Sequence, residues 1–276
     1  MSKVFVKQYG CQRSGTCYVS ALIGQNFPDV HLLVHTLGRK HAAPVNFTRW
    51  RKQTPDGLLD AIKNNELRIA IATKNPYAWA RSYIRAQRQW RAAWRQAFFA
   101  DPQKAIAERC EVWNQRHRLW LAVPFKHLMV FRHEDLLTDF EATLARAADK
   151  LALTPYSRPF VNIPHRLTPN GDVSDALFDT DYYCSQRYLA ELDDRLIATV
   201  TDSIDWDLAA RMDYHPRHQG RFRPFRCAST KKLNTAPAVA STSAQKFITA
   251  WRVAKDILEM VLALLAIAVL LGLLWP

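Results

Sequence analysis

The chain has 276 residues, enough for one large α/β domain and a tail, and a formal charge of +13. That charge suits an anionic nucleotide, an anionic acceptor, an anionic membrane face or nucleic acid. Five cysteines (Cys11, Cys17, Cys110, Cys184, Cys227) show no CxxC and no Cys/His zinc spacing. Their odd number, and a first strand that follows Met1-Ser2-Lys3 without a secretory leader, lead us to expect reduced thiols in a cytosolic compartment.

The first element is an apolar run, Val4-Phe5-Val6, which predicts a buried strand. It passes through Gly10 and Gly15 into Tyr18-Val19-Ser20-Ala21-Leu22-Ile23, the start of an amphipathic helix. A strand, a Gly/Ser/Thr turn and a helix N-terminus together make an anion site, because backbone N–H groups and the helix dipole point at the same place. Gly10-x4-Gly15 has the spacing of a P-loop, but the residue after Gly15 is Thr16, not lysine. The cation stands at Arg13 instead. Arg13-Ser14-Gly15-Thr16-Cys17-Tyr18 resembles the 5′-phosphosulfate loop of sulfotransferases that use 3′-phosphoadenosine 5′-phosphosulfate (PAPS). That family has a basic residue, Ser-Gly-Thr, a second small polar residue and an aromatic.

A second strand is expected at about Val30 to Val34. After it come His35, Lys40 and His41. The resemblance implies a His or Glu base in this region. His41, in a Lys-His pair similar to one in relatives, is the favoured candidate and His35 the alternative. A histidine has the pKa for that work.

Leu67-Arg68-Ile69-Ala70-Ile71-Ala72-Thr73 predicts a central parallel strand. Asn75 then reads as an N-cap and Pro76 as the first residue of a helix. Lys74 and Ser82 keep the family's spacing for the two residues that hold the nucleotide 3′-phosphate. The family has arginine where Lys74 stands, so charge is supplied without the bidentate fork. Arg81, Arg85, Arg88, Arg91 and Arg95, interleaved with Trp79, Trp90 and Trp94, mark one helix. It is either a solvated face with Trp packed beneath it or a lid or acceptor groove. A further helix, about Ala105 to Leu121, carries Trp113, Arg116 and Trp120.

His127 to Arg132 predicts another strand, followed by His133-Glu134-Asp135-Leu136 and a helix over 139–151. This resembles the family's strand and Tyr-Glu-Asp-Leu element, with His133 in the tyrosine position. Glu134 and Asp135 are expected to be structural, since acidic residues favour a helix N-terminus.

The resemblance spans residues 3–214 and implies a three-layer α/β fold with a central, mostly parallel sheet, similar to P-loop nucleotide hydrolases. Residues 215–250 are expected to be a basic, Ser/Thr/Pro-containing linker. Its basic start could close over the nucleotide, but the Arg-Lys-Gly that relatives often use for a late 3′-phosphate contact does not occur there. From Met260 to Pro276 no charge occurs, which predicts a single transmembrane anchor within 251–276. Lys246, Arg252 and Lys255 on its N-terminal side imply a cytosolic catalytic domain by the positive-inside tendency. An oligomerisation helix is the alternative.

The function expected is transfer of a sulfuryl group from PAPS, as co-substrate, to a hydroxyl or amine acceptor, lipid- or glycan-linked by proximity to the membrane. Arg13, Ser14, Gly15, Thr16 and Cys17 would hold the 5′-phosphosulfate, Lys74 and Ser82 the 3′-phosphate. Arg13 and His41 would act in the chemistry. No metal is expected. Two other readings compete: a P-loop kinase or hydrolase, and a non-catalytic basic module at a membrane. Nucleic acid is not the expected partner, and the oligomeric state is open.

Overall fold

Apolar runs bounded by turn residues form parallel strands here, and the amphipathic stretches between them form crossover helices. The computed structural model describes residues 3–45, 47, 54–87, 92–167 and 173–216. Strand β1 (Val4–Gly10) leads to α1 (Thr16–Asn26) and β2 (Val30–Leu33). Helix α2 (Leu58–Lys63), β3 (Arg68–Thr73), α3 (Pro76–Gln87), α4 (Ala92–Ala100) and α5 (Pro102–Leu121) follow. Strand β4 (His127–Arg132) leads directly into α6 (His133–Thr138) and α7 (Phe140–Lys150). A short hairpin, β5 (His165–Leu167) and β6 (Val173–Leu177), precedes α8 (Thr180–Cys184), a 3-10 turn (Arg187–Glu191), α9 (Asp194–Ser203) and α10 (Trp206–Ala210).

The four-stranded sheet has the order β2-β1-β3-β4, and each pairing is parallel. Gly10 lies opposite Ala72 and Thr73 opposite Arg132, so the strands end almost level. The chain steps from β1 to β2 on one side and to β3 on the other. The carboxyl ends of β1 and β3 therefore flank a topological switch point, the crevice where open α/β sheets bind ligands.

Side-chain alternation assigns the two faces. Ile69 and Ile71 of β3, with Phe5 and Tyr9 of β1, join a buried cluster containing Trp113, Trp120 and Val200. Ala70 and Ala72, with Val6, join a second cluster containing Tyr18, Leu22, Phe131 and Leu144. Helices thus cover both faces. Trp113 and Trp120 of α5 are fully buried. A tryptophan buries on the order of 200 Å², about 5 kcal/mol before conformational entropy is subtracted. Asp101 caps α5 by accepting from Lys104 N at 3.0 Å, and Pro102 opens it.

Lys7 is a charged residue in the middle of this core. Its Nζ donates to the carbonyls of Leu33, Thr36 and Gly38 at 3.2, 2.9 and 2.5 Å. Burial lowers its pKa to about 8, which still leaves it protonated at neutral pH. It gathers the carbonyls of the turn after β2, just upstream of Lys40 and His41.

The arginine-marked segment is described as α3 up to Gln87 and α4 from Ala92, and 88–91 lie outside the described residues. Arg88, Arg91, Trp90 and the Trp94 side chain fall outside the description. Two expectations change. The helix over 139–151 is preceded by a separate short helix, α6, and ends at Lys150. Cys184 is disulfide-bonded, while Cys11 and Cys110 are buried free thiols, so the five cysteines are not all reduced. Pairing depends on tertiary approach, which an odd count leaves undecided.

Residues 217–276, with most of the expected linker and the whole expected anchor over 251–276, lie outside the described residues. Among the described residues no helix is long and apolar enough to cross a membrane.

Candidate functional site

The turn after β1 is set by two tight backbone approaches. A side chain on Gly10 would place Cβ 2.6 Å from the Ala72 carbonyl oxygen and 2.6 Å from Thr16 Cγ2. Gly15 has φ +87° and caps α1, and a Cβ there would lie 2.9 Å from His133 Nδ1. Arg13 also takes a positive φ, 71°. The Ser14 hydroxyl sits 2.7 Å from the Cys11 carbonyl and 2.9 Å from that of Ala72, donating between them and tying the loop to β3. Trp79 of α3 donates its indole N–H to the Gln12 carbonyl at 2.8 Å. The turn is thus held from β3 and α3, and Trp79 is a buried brace rather than part of a solvated face.

The first-turn N–H groups of α1 have no intrahelical partner by geometry. They open onto a cavity of about 340 Å³ at the switch point, walled there by Arg13, Gly15, Thr16, Cys17 and Tyr18. Lys74 and Ser82 line the same cavity. The fold thus brings the two separated blocks together. Asn75 caps α3 as expected, its Oδ1 accepting from Tyr77 N at 3.0 Å. Lys74 Nζ is 3.4 Å from the Tyr183 hydroxyl and 5.0 Å from that ring's centroid. Lys40 reaches Cys17 Sγ at 3.5 Å.

The favoured base, His41, does not line the cavity; it touches the loop from below Gly10. Its Nδ1 donates to the Gly10 carbonyl at 2.6 Å. A carbonyl only accepts, so this bond places the proton on Nδ1 and leaves the Nε2 lone pair open in the neutral ring. Burial lowers the His41 pKa below 6.5, Lys40 adds to this, and the Gly10 bond opposes it. His35 is exposed and also lies off the cavity wall.

Sequence reasoning assigned no place in the site to His133. It lines the cavity, is 3% exposed, and its two ring nitrogens have no hydrogen-bond partner among the described residues. The rings of Tyr18, Phe178 and Tyr183 stand edge-on around it. Burial, then the charge of Lys74, hold its pKa well below 6.5. A buried polar ring without partners is uncommon and points to a missing one. The standing of His133 where the sulfotransferases that the loop resembles carry a tyrosine was the only signal in the sequence.

Glu134, by contrast, is a structural clasp. Oε1 accepts from Asn75 N at 2.9 Å and Oε2 from the Tyr214 hydroxyl at 2.8 Å. Asp135 lies within reach of Arg132 and Arg146, at 3.8 and 3.9 Å.

The rest of the wall comes from Arg81 and Arg85 on α3, Arg166 on β5, and Tyr182 and Tyr183 on α8. None of the last three was anticipated. Five cations face this cavity, against the one carboxylate of Glu191, which pairs with Arg81. The lining therefore carries an excess of positive charge. A larger concavity, about 870 Å³, lies at the opposite ends of β1 and β3, near Lys3, Gly57 and Arg68. That is not where such sheets bind ligands. Among the described residues no three of His, Cys, Asp and Glu converge to hold a metal ion.

No protein-family model and no curated protein matches this chain.

Proposed function

We propose that this chain transfers a sulfuryl group from PAPS to a hydroxyl or amine acceptor. The observation that carries the reading is the convergence of the Arg13–Cys17 loop with Lys74 and Ser82 on one cavity at the switch point. A bisphosphorylated nucleotide has two anionic ends, and this cavity has a cradle for each. Arg13 and the first-turn N–H groups of α1 would take the 5′-phosphosulfate; Lys74 and Ser82 would take the 3′-phosphate.

The reaction is an in-line displacement. The acceptor oxygen or nitrogen forms a bond to sulfur, the bond from sulfur to the bridging phosphate oxygen breaks, and adenosine 3′,5′-bisphosphate (PAP) leaves. The acceptor's proton goes to a base, for which His41 Nε2 has the right tautomer. Negative charge grows on the bridging oxygen, and Arg13 with the loop N–H groups would stabilise it. The chain's own part is positioning and charge stabilisation.

A lipid- or glycan-linked acceptor follows from the anchor expected over 251–276. A disulfide at Cys184 favours an oxidising compartment, against the cytosolic placement implied by the flanking charges.

Calorimetry with PAP tests the reading. PAP should bind, and Arg13→Ala and Lys74→Ala should each weaken it by about 10-fold or more, the worth of a charge-assisted contact. Unchanged affinity in both variants sinks the site assignment. Stabilisation by ATP–Mg²⁺ with none by PAP would instead favour a P-loop kinase or hydrolase.

A further inference from the structure

The wall opposite the Arg13 loop has an imbalance that Lys74 and Ser82 do not account for. Arg81 and Arg85 are four residues apart on α3, on the face that carries Ser82, and Arg166 reaches the same cavity from β5. Like charges at that helical spacing repel. Arg81 is compensated by Glu191. Arg85 and Arg166 have no carboxylate partner among the described residues. Tyr182 lines the same cavity as the three arginines, and its hydroxyl is buried with no hydrogen-bond partner among the described residues. The Arg81 guanidinium also lies over the Tyr182 ring, 5.8 Å from its centroid.

An unpaired hydroxyl within a group of under-compensated arginines lacks an acceptor with negative charge. A dianion supplies both: oxygens to accept from Tyr182, and charge to balance Arg85 and Arg166. We propose that Arg85, Arg166 and the Tyr182 hydroxyl are specificity residues for the 3′-phosphate, completing the seat begun by Lys74 and Ser82. The proposal rests on the nucleotide reading above. Ser82 lines the same cavity as Arg81 and Arg85 and lies one turn before Arg85 on α3, so an anion held by Ser82 lies on the arginines' side of the cavity. Lys74 alone is a point charge already turned toward Tyr183, whereas guanidiniums from two elements can clamp a phosphate in a fixed orientation. The cluster therefore sets the preference for a nucleotide with a 3′-phosphate over one without.

The test is calorimetric titration of the full chain with PAP and with AMP, which lacks the 3′-phosphate. Wild type should bind PAP more tightly than AMP. Arg85→Ala and Arg166→Ala should each lose about 10-fold or more in PAP affinity with AMP affinity unchanged, so the preference collapses. Tyr182→Phe, which keeps the ring, should erode the same preference if an arginine variant fails to fold. Equal losses for both nucleotides, or no loss, overturn the proposal while leaving the sulfuryl-transfer reading in place. Variants that keep PAP affinity but lose transfer would put the cluster on the acceptor, and also overturn it. A wild-type chain that binds PAP no better than AMP overturns the 3′-phosphate seat itself, and one that binds neither overturns the function as well.

Discussion

Tyr214 donates its hydroxyl to Glu134 Oε2 at 2.8 Å, with both groups buried. The other oxygen of Glu134 accepts from the N–H of Asn75, next to Lys74. One carboxyl group thus joins the exit of β3, the start of α6 and the last described segment. Burial and the neighbouring Glu134 push the Tyr214 phenol far above its ordinary pKa, so it stays a donor. Tyr214→Phe removes that donor and leaves a buried oxygen unpaired. The expected cost is roughly 1–3 kcal/mol of stability, read from urea midpoints. A variant as stable as wild type would show that the clasp is not needed.

Gly15→Ala should be the most damaging single methyl in the loop. It places a Cβ 2.9 Å from His133 Nδ1 and a non-glycine residue at φ +87°. The backbone conformation alone costs about 1–2 kcal/mol. The buried imidazole has little room to give, so the loop must move. PAP binding is expected to disappear while circular dichroism keeps the α/β signature. Retained affinity would mean that the first turn of α1 does not contact the nucleotide.

His41→Asn keeps a donor for the Gly10 carbonyl and removes the basic nitrogen. Transfer from labelled PAPS to a membrane extract should fall by roughly 10²–10⁴-fold, with PAP affinity unchanged. In the wild type, the base must be neutral to work. Burial lowers its pKa, so the midpoint of the acid-side loss of activity should lie below pH 6.5. Full activity in the variant would move the base elsewhere.

Stability should itself depend on pH through His117. This ring is buried, donates from Nδ1 to the Trp113 carbonyl at 2.8 Å, and lies 3.9 Å from the Trp113 ring. Burial lowers its pKa from 6.5 to about 4. Between those values the unfolded chain binds a proton that the folded chain does not. Stability therefore falls as pH drops from 6.5 to 4, by roughly 3 kcal/mol in all at about 1.4 kcal/mol per pH unit. Above pH 6.5 this contribution is flat. His133 acts in the same direction. The difference in melting temperature between wild type and His117→Gln should shrink across that window, and a constant difference would refute the account.

The Lys74–Ser82 pair came only from the resemblance to the sulfotransferases. Local chemistry in the sequence was enough to find the strands β1, β3 and β4, the Gly10–Gly15 turn and the Asn75 cap. Each is defined within about ten residues by hydrophobic period, turn chemistry or helix-start preference. It could not find Arg166, Tyr182 or Tyr183. These sit on short elements with no periodic signal, and reach the cavity across more than 80 residues of chain from Lys74. Nor could it separate the two uses of the α3 face. Trp79 turns in to brace Gln12, and Arg81 and Arg85 turn toward the cavity, because the helix packs beside the switch point.

The sequence by itself determined that a Gly/Ser/Thr turn joins a strand to a helix start, since local turn chemistry marks it; the close approaches of Ala72 to Gly10 and of His133 to Gly15 belong to the tertiary structure. Only the tertiary structure decided how much positive charge faces the cavity. The order β2-β1-β3-β4 places the ends of β1 and β3 side by side, and packing then brings His133, Arg166 and Tyr182 to the same cavity. Burial leaves the His133 ring and the Tyr182 hydroxyl short of partners, and a shortage of that kind exists only once the chain has closed around them.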